Sequence, residues 1–96
     1  MGQAMTDAAE LGTLIRAARL AQGLTRDELA NATGLSAKFI SQVEAGKPTA
    51  QIGKILQLLS ELGVTLHANS SIDIPPETLK TAARRRRSNR NDNPDT

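Results

Sequence analysis

Residues 23–46 read GLTRDELANATGLSAKFISQVEAG, and this stretch decides the fold because it holds the start and stop signals of two short helices. Thr25 is followed three residues later by Glu28, a capping box in which each side chain binds the other residue's backbone amide. Gly34 can end the first helix because glycine tolerates the left-handed conformation. Ser36 is a preferred cap for a second helix, which ends at the last glycine of the stretch. The stretch therefore predicts two helices joined by a tight turn.

The second helix has two chemically different faces. Ile40 and Val43 recur at helical spacing and predict a buried side. The opposite side carries small or polar residues, namely Ala37, Lys38, Ser41 and Gln42. A helix, a turn with a glycine and a second helix with such an outer face are typical of a helix-turn-helix, whose second helix enters the DNA major groove.

These residues resemble the phage-repressor-like (Xre and Cro type) helix-turn-helix family. The shared register comprises Gly23, Leu24, Thr25, Leu29, Ala30, Gly34, Leu35, Ser36, Ile40, Ser41, Glu44 and Gly46. The resemblance implies an all-α, four-helix DNA-binding domain of a transcriptional repressor that reads palindromic double-stranded DNA as a dimer. Arg26 departs from the family pattern, which usually has Gln donating to a phosphate at this position. Arg can make the same contact with added charge.

The resemblance also implies roles for individual residues on DNA. The implied base contacts are Ala37, Lys38, Ser41 and Gln42, and the implied phosphate contacts are Arg26, Ser36 and Lys47. Gln42 suits adenine, Lys38 suits guanine, and Ala37 can touch a thymine methyl group.

Arg19 and Glu44 have a structural role in the resemblance, which implies a salt bridge between them. The pairing makes physical sense because Glu44 would otherwise be an unpaired anion beside DNA. A phosphate contact is the alternative for Arg19. Two roles stay open for Phe39: packing under a later strand, or lying near the DNA backbone.

Helical periodicity continues on both sides of this stretch. Apolar residues predict a first helix from Asp7 to Gln22 and a fourth helix from Thr49 to Leu62. The fourth helix has a predicted core stripe of Ile52, Ile55, Leu56, Leu59 and Leu62. We expect a disordered N-terminus over residues 1–6, a domain over residues 7–69, and a polar, Arg-rich tail over residues 70–96. The tail is predicted to be largely disordered, although residues 77–87 could form a marginal helix.

The hydrophobic period changes after the fourth helix. Val64, Leu66 and Ala68 alternate with polar residues over residues 64–69, which predicts a short strand. Since a single strand has no partner in a helical monomer, we expect it to pair with the same strand of a second copy across a two-fold axis. The alternative is a segment that is merely extended.

A phage-repressor-like bundle followed by a short strand and a polar tail resembles the HipB-type antitoxins. This resemblance implies a homodimer that represses its own operon and neutralises a HipA-like serine/threonine kinase toxin. A stand-alone regulator of the same family is the alternative. A third hypothesis, from a different class, is a protein-interaction adaptor that has lost DNA binding.

The charge of the chain is distributed unevenly. Residues 1–79 hold six Lys or Arg against eight Asp or Glu, and residues 80–96 hold six against two, so a net charge of −2 is followed by +4. An Arg cluster in the tail comprises Arg84, Arg85, Arg86 and Arg87. Contacts of this cluster with DNA phosphates are favoured, and the alternatives are a contact with an acidic partner or a solvated tail. Phosphate contacts do not read sequence.

The composition limits what else the chain can be. Its 96 residues allow one small domain and a tail, and one Phe without Trp or Tyr leaves an aliphatic core. The absence of Cys excludes disulfides and thiolate metal sites and fits a reducing cytoplasm. No apolar run is long enough to span a bilayer. His67 is the only His, and no pattern supports catalysis, a metal or a cofactor. We therefore expect a cytoplasmic, non-enzymatic protein.

Overall fold

Five α-helices follow one another in the part of the chain that the computed structural model describes, which is residues 4–92 for the backbone and residues 4–84 for the side chains. They are α1 (Ala8–Ala21), α2 (Arg26–Thr33), α3 (Ala37–Glu44), α4 (Ile52–Glu61) and α5 (Pro76–Asp92). The chain divides into a first unit that ends at Leu66 and a second unit that begins at His67. The all-α prediction is confirmed, and α1 to α4 belong to the first unit.

The helices begin and end at the local signals of the sequence. The Asp7 side chain accepts a hydrogen bond of 2.8 Å from the backbone N–H of Glu10 and so caps α1. At the start of α2, the N–H of Glu28 donates to the Thr25 hydroxyl at 3.0 Å, and the N–H of Thr25 donates to the Glu28 carboxylate at 2.8 Å. Gly34 ends α2 in the left-handed conformation, with φ of 76°. The α2–turn–α3 geometry is thus encoded locally.

The first unit has one aliphatic core to which all four of its helices contribute. Helix α1 packs against α3, and α2 packs against both α3 and α4. The buried residues are Ile15, Leu29, Ile40, Val43, Leu58, Leu59 and Leu62. Each such side chain contributes about 1.5–3 kcal/mol when it leaves water. The core therefore holds the α2–turn–α3 segment in a fixed frame.

The face that α4 presents to the core is rotated relative to the predicted stripe, of which Ile55, Leu59 and Leu62 do reach the core. The buried positions include Leu58, whereas Ile52 is 71% exposed and Leu56 is 47% exposed. The predicted stripe ran along one line of the helix, but the core contact follows Ile55, Leu58, Leu59 and Leu62. Since the apolar residues of α4 form one wide arc, periodicity alone could not identify which part of the arc faces the bundle. An apolar face of α4 is left on the surface.

Residues 64–69 form no strand within the described single chain, as expected of a strand whose predicted partner is a second copy. The physical reason is that a ladder needs a partner, and the first unit offers only helices. The backbone N–H of Val64 instead donates to the carbonyl of Leu59 at 2.9 Å, which closes the end of α4. Pairing of Val64, Leu66 and Ala68 across a dimer stays a prediction.

The tail contains α5, where the sequence predicts mostly disorder. Pro76 is the first helical residue, a position where its fixed φ suits a helix, and Ala and Arg that follow are strong helix formers. Composition indicated disorder because the segment is polar, but polarity does not prevent a helix. Of the predicted disordered N-terminus, residues 1–3 lie outside the described residues, as do residues 93–96 of the tail.

Candidate nucleic-acid interface

The outer face of α3 is separated from the core by the way the helix sits in the bundle. Ile40, Val43 and Glu44 are the buried residues of α3. On the other side, Lys38 and Ser41 are exposed, and Ala37 and Gln42 are half-buried. All four predicted base-contacting residues therefore lie away from the residues that hold α3 in place.

Ser36 and Lys47 mark the two ends of α3. The Ser36 hydroxyl accepts a hydrogen bond of 3.0 Å from the N–H of Phe39, so this predicted phosphate contact is also the helix cap. Lys47 lies exposed in the turn after α3, and its backbone N–H donates to the carbonyl of Gln42 at 3.1 Å. The two residues flank the outer face from opposite ends.

An open concave surface of about 740 Å³ lies between the start of α2 and the outer face of α3. Its lining residues are Arg19, Leu20, Gly23, Leu24, Thr25, Arg26, Asp27, Ala37, Lys38 and Ser41. The structure thus brings Arg26, a predicted phosphate contact, together with three of the predicted base contacts. Gln42 and Lys47 do not line this concavity.

Glu44 is the centre of a buried ion pair that joins α1 to α3. The Arg19 guanidinium donates through Nε to Glu44 Oε2 at 2.7 Å and through Nη2 to Oε1 at 3.0 Å. The Glu44 side chain is 2% exposed. Arg19 also donates through Nη1 to the carbonyl of Leu24 at 2.8 Å. The structure therefore shows Arg19 in the structural pairing that the resemblance implies, and this arginine additionally ties down the α1–α2 connection.

Arg26 shares the same carboxylate. Its Nε donates to Glu44 Oε1 at 3.1 Å, and its side chain remains 42% exposed. Sequence reasoning assigned Arg26 a phosphate contact and missed this partner. The two roles are compatible because Glu44 engages only Nε, which leaves the two terminal nitrogens for a phosphate.

The charge state of Glu44 follows from two opposing effects on its pKa. Burial raises the pKa of Glu44, but hydrogen bonds and charge from Arg19, with a further contribution from Arg26, outweigh burial and lower it below the ordinary value of 4.5. The hydrogen bonds that Arg19 donates to Glu44 raise the pKa of Arg19, although burial opposes this. Both groups therefore stay charged at neutral pH.

Two glycines position α1 against the carboxyl end of α3, and sequence reasoning missed their role. A Cβ atom on Gly12 would overlap the carbonyl oxygen of Val43 and would lie 2.9 Å from that of Glu44. Gly46 has φ of 90°, and a Cβ there would lie 2.9 Å from the Cα of Ala9. For Gly12 the available signal was a glycine within a helical pattern, where glycine is unfavourable; Gly46 was identified only as the end of α3.

The remaining predicted residues lie elsewhere. Val64 packs half-buried against the core, Leu66 is 46% exposed, and Ala68 belongs to the second unit. Arg84 is exposed on α5. The structure does not describe the side chains of Arg85, Arg86 and Arg87. No helix in the described part of the chain is long and apolar enough to cross a membrane.

Comparison with known proteins identifies the family. A profile described as Helix-turn-helix matches residues 15–68 of this 96-residue chain. The chain belongs to the helix-turn-helix family. An uncharacterized HTH-type transcriptional regulator, y4mF, of Sinorhizobium fredii (strain NBRC 101917 / NGR234) is 47% identical over 66 residues, which are 69% of this chain and 87% of that protein. The family and this relative make the chain a DNA-binding transcriptional regulator.

Solved structures share the fold. A HipB–O4 20mer complex superposes with a TM-score of 0.68 at 20% identity and covers 74% of this chain and 100% of the HipB chain. A HipA–HipB–O2–O3 complex gives the same TM-score, identity and coverage. The helix-turn-helix chain is therefore similar in fold to HipB over the full length of HipB.

Proposed function

We propose that this regulator is a repressor that binds a palindromic operator as a homodimer and acts as the antitoxin of a HipA/HipB-like toxin–antitoxin pair, repressing its own operon. The observation that supports the proposal is a solvent-facing, polar α3 surface on a fold similar to HipB. The similarity covers the whole of the HipB chain in the solved complex, with a TM-score of 0.68. The proposed role is cytoplasmic, since the operon lies there, and involves no catalysis.

The proposed mechanism of recognition follows from the chemistry of the outer face of α3. In the major groove, the Gln42 amide offers a donor and an acceptor to adenine, and the Lys38 ammonium donates to guanine. Ser41 can donate or accept, while Ala37 can contact a thymine methyl group. Because these contacts use base edges, they provide sequence discrimination, whereas phosphate contacts only fix the register.

The proposed dimer uses the apolar face that α4 leaves on the surface. Ile52 and Leu56 lie one turn apart on α4, and both are well exposed. Leu56 also lines an open groove of about 410 Å³ together with Val64 and Leu66, two of the predicted strand residues. A second copy that covers this face would remove aliphatic surface from water and supply the missing strand partner. A two-fold axis through this face would present two α3 helices to successive major grooves.

The proposed toxin partner is a HipA-like serine/threonine kinase. Its support is the likeness of this fold to the HipB chain of a HipA–HipB complex. The alternative is a stand-alone transcriptional regulator without a toxin. The Sinorhizobium fredii relative favours that alternative, since it is described only as an HTH-type transcriptional regulator.

Two measurements test the proposal together. Fluorescence anisotropy with DNA from the region upstream of its own gene, against a scrambled duplex, measures specific binding. Affinity purification of the tagged chain from its native host, with mass spectrometry, identifies protein partners. Specific DNA binding together with a near-stoichiometric HipA-like kinase would support the antitoxin role.

The other outcomes each reject part of the proposal. Specific DNA binding without a kinase would reject the antitoxin role and support the stand-alone regulator. A protein partner without DNA binding would reject the repressor and support the adaptor. As a matched control, the Lys38→Ala, Gln42→Ala double variant should lose the operator and still co-purify the kinase, because the altered side chains lie outside the core.

A further inference from the structure

Lys54 is a cation beside α3 to which sequence reasoning assigned no role. Its Nζ atom lies 5.5 Å from the centroid of the Phe39 ring, a distance typical of a cation–π contact. Phe39 belongs to α3 and packs half-buried against the core. Lys54 itself is exposed in the first turn of α4. The ring therefore holds an exposed ammonium group next to the recognition helix.

The stability of α4 does not explain this lysine. A positive charge in the first turn of a helix opposes the helix dipole. Moreover, both ion pairs found among the described side chains belong to Glu44, so Lys54 has no carboxylate partner there. Its exposed ammonium group is therefore available to an anion outside the chain.

The geometry of a helix in the major groove shows where that anion would be. The groove is about 12 Å wide and a helix with its side chains is about 10–12 Å across, so residues at both edges of α3 face phosphates. One edge is the concavity that Arg26 shares with Ala37 and Ser41. Phe39 lies three residues before Gln42, so it borders the outer face of α3 on the edge away from Arg26. Arg26 and Lys54 thus flank the outer face of α3 from opposite sides.

We propose that Lys54 binds a DNA phosphate on the groove wall opposite the wall that Arg26 faces, and that Phe39 is the positioning residue for its ammonium group. The inference rests on the proposed insertion of α3 into the major groove. It assigns to α4 a part in DNA binding, and it assigns to Phe39 a role that neither of the two sequence-based alternatives included.

The experiment measures DNA affinity as a function of salt for the full-length chain. Each phosphate contact adds about 0.9 to the slope of log K against log salt. We expect Lys54→Gln to lower this slope by about 0.9 and to weaken binding about fivefold at 0.15 M salt. The loss should be equal on the upstream duplex and on a random duplex, because a phosphate contact does not read sequence.

A matched control removes one charge elsewhere. Arg16 is exposed on α1 and takes part in no ion pair among the described side chains. Arg16→Gln should leave the slope unchanged. An equal drop in slope for both variants would show a general charge effect and would overturn the proposal.

The role of Phe39 has its own test. Phe39→Leu keeps an apolar side chain but removes the ring, so it should lower the salt slope and reduce the effect of a further Lys54→Gln substitution. Phe39→Tyr keeps an aromatic ring and should leave the salt slope and the effect of Lys54→Gln as they are in the wild type. Additive effects of Phe39→Leu and Lys54→Gln would overturn the positioning role. If the wild-type chain binds DNA and Lys54→Gln has the same salt slope as the wild type, the Lys54–phosphate contact is refuted but the proposed repressor function is not. If the wild-type chain binds no DNA, the contact and the repressor function are both refuted.

Discussion

Gly12 and Gly53 are both helical glycines, and the structure predicts opposite effects when each is replaced by Ala. Outside its own stretch of helix, no heavy atom lies within 4 Å of a Cβ added at Gly53, so Gly53→Ala should gain about 0.5–1 kcal/mol of stability from helix propensity. At Gly12 the added Cβ would overlap the Val43 carbonyl oxygen, a backbone atom that cannot move alone. Overpacking of this kind costs about 1–3 kcal/mol or more. Because the overlap is with a backbone atom, the upper end of this range, about 3 kcal/mol, applies. After the propensity gain of about 1 kcal/mol, we expect Gly12→Ala to lose about 2 kcal/mol.

Thermal and urea unfolding followed by circular dichroism measure both effects. In a domain of this size, about 1 kcal/mol shifts Tm by about 4–8 °C. Gly12→Ala should thus lower Tm by about 8–16 °C, and Gly53→Ala should raise it by about 2–8 °C. A Gly12→Ala variant as stable as the wild type would refute the close approach of α1 to the end of α3. A destabilised Gly53→Ala variant would show that this part of α4 is covered in solution.

Four further predictions concern single side chains. Because the pKa of Glu44 is lowered in the folded state, its contribution to stability is fully present above the unfolded value of 4.5 and is lost as pH falls through the lower folded pKa. Urea titrations should therefore show that the free energy of unfolding of the wild type falls in this acidic range. The Glu44→Gln variant should be less stable, and its free energy of unfolding should depend less on pH in the same range. Thr25→Ala should cost about 1 kcal/mol in urea unfolding by removing the capping box, and no change would contradict its role. Gln42→Ala should weaken binding to the upstream DNA by about 1–3 kcal/mol in anisotropy and leave random DNA unaffected, whereas equal losses would exclude base reading. Leu56→Asp should give a monomer in analytical ultracentrifugation, while Leu20→Asp, an exposed leucine on α1, should remain dimeric; a dimeric Leu56→Asp chain would exclude the α4 face.

Local signals explain why so much of the helix-turn-helix could be predicted from the sequence. The capping box at Thr25, the left-handed turn at Gly34 and the cap at Ser36 each involve atoms within a few residues of one another. Such interactions do not depend on the rest of the fold. The outer face of α3 was equally predictable, because Ile40 and Val43 leave only one side of that helix for solvent.

The features that escaped prediction depend on contacts between distant parts of the chain. Arg26 meets Glu44 across 18 residues of sequence, and Gly12 approaches a backbone on another helix. The orientation of α4 depends on which part of its apolar arc fits the bundle. Each of these requires tertiary geometry, which the pattern of residues along one element does not contain.

The division of α3 into two faces has a consequence for how this protein can change over generations. Ile40, Val43 and Glu44 are the buried residues of α3, whereas Lys38 and Ser41 on the other side are exposed. Exposed substitutions of this kind usually alter stability by less than about 0.5 kcal/mol. Under the proposed base reading by the outer face of α3, mutations there change the DNA sequence that is recognised without first requiring a compensating change elsewhere. The same scaffold can diversify rapidly into regulators of different genes.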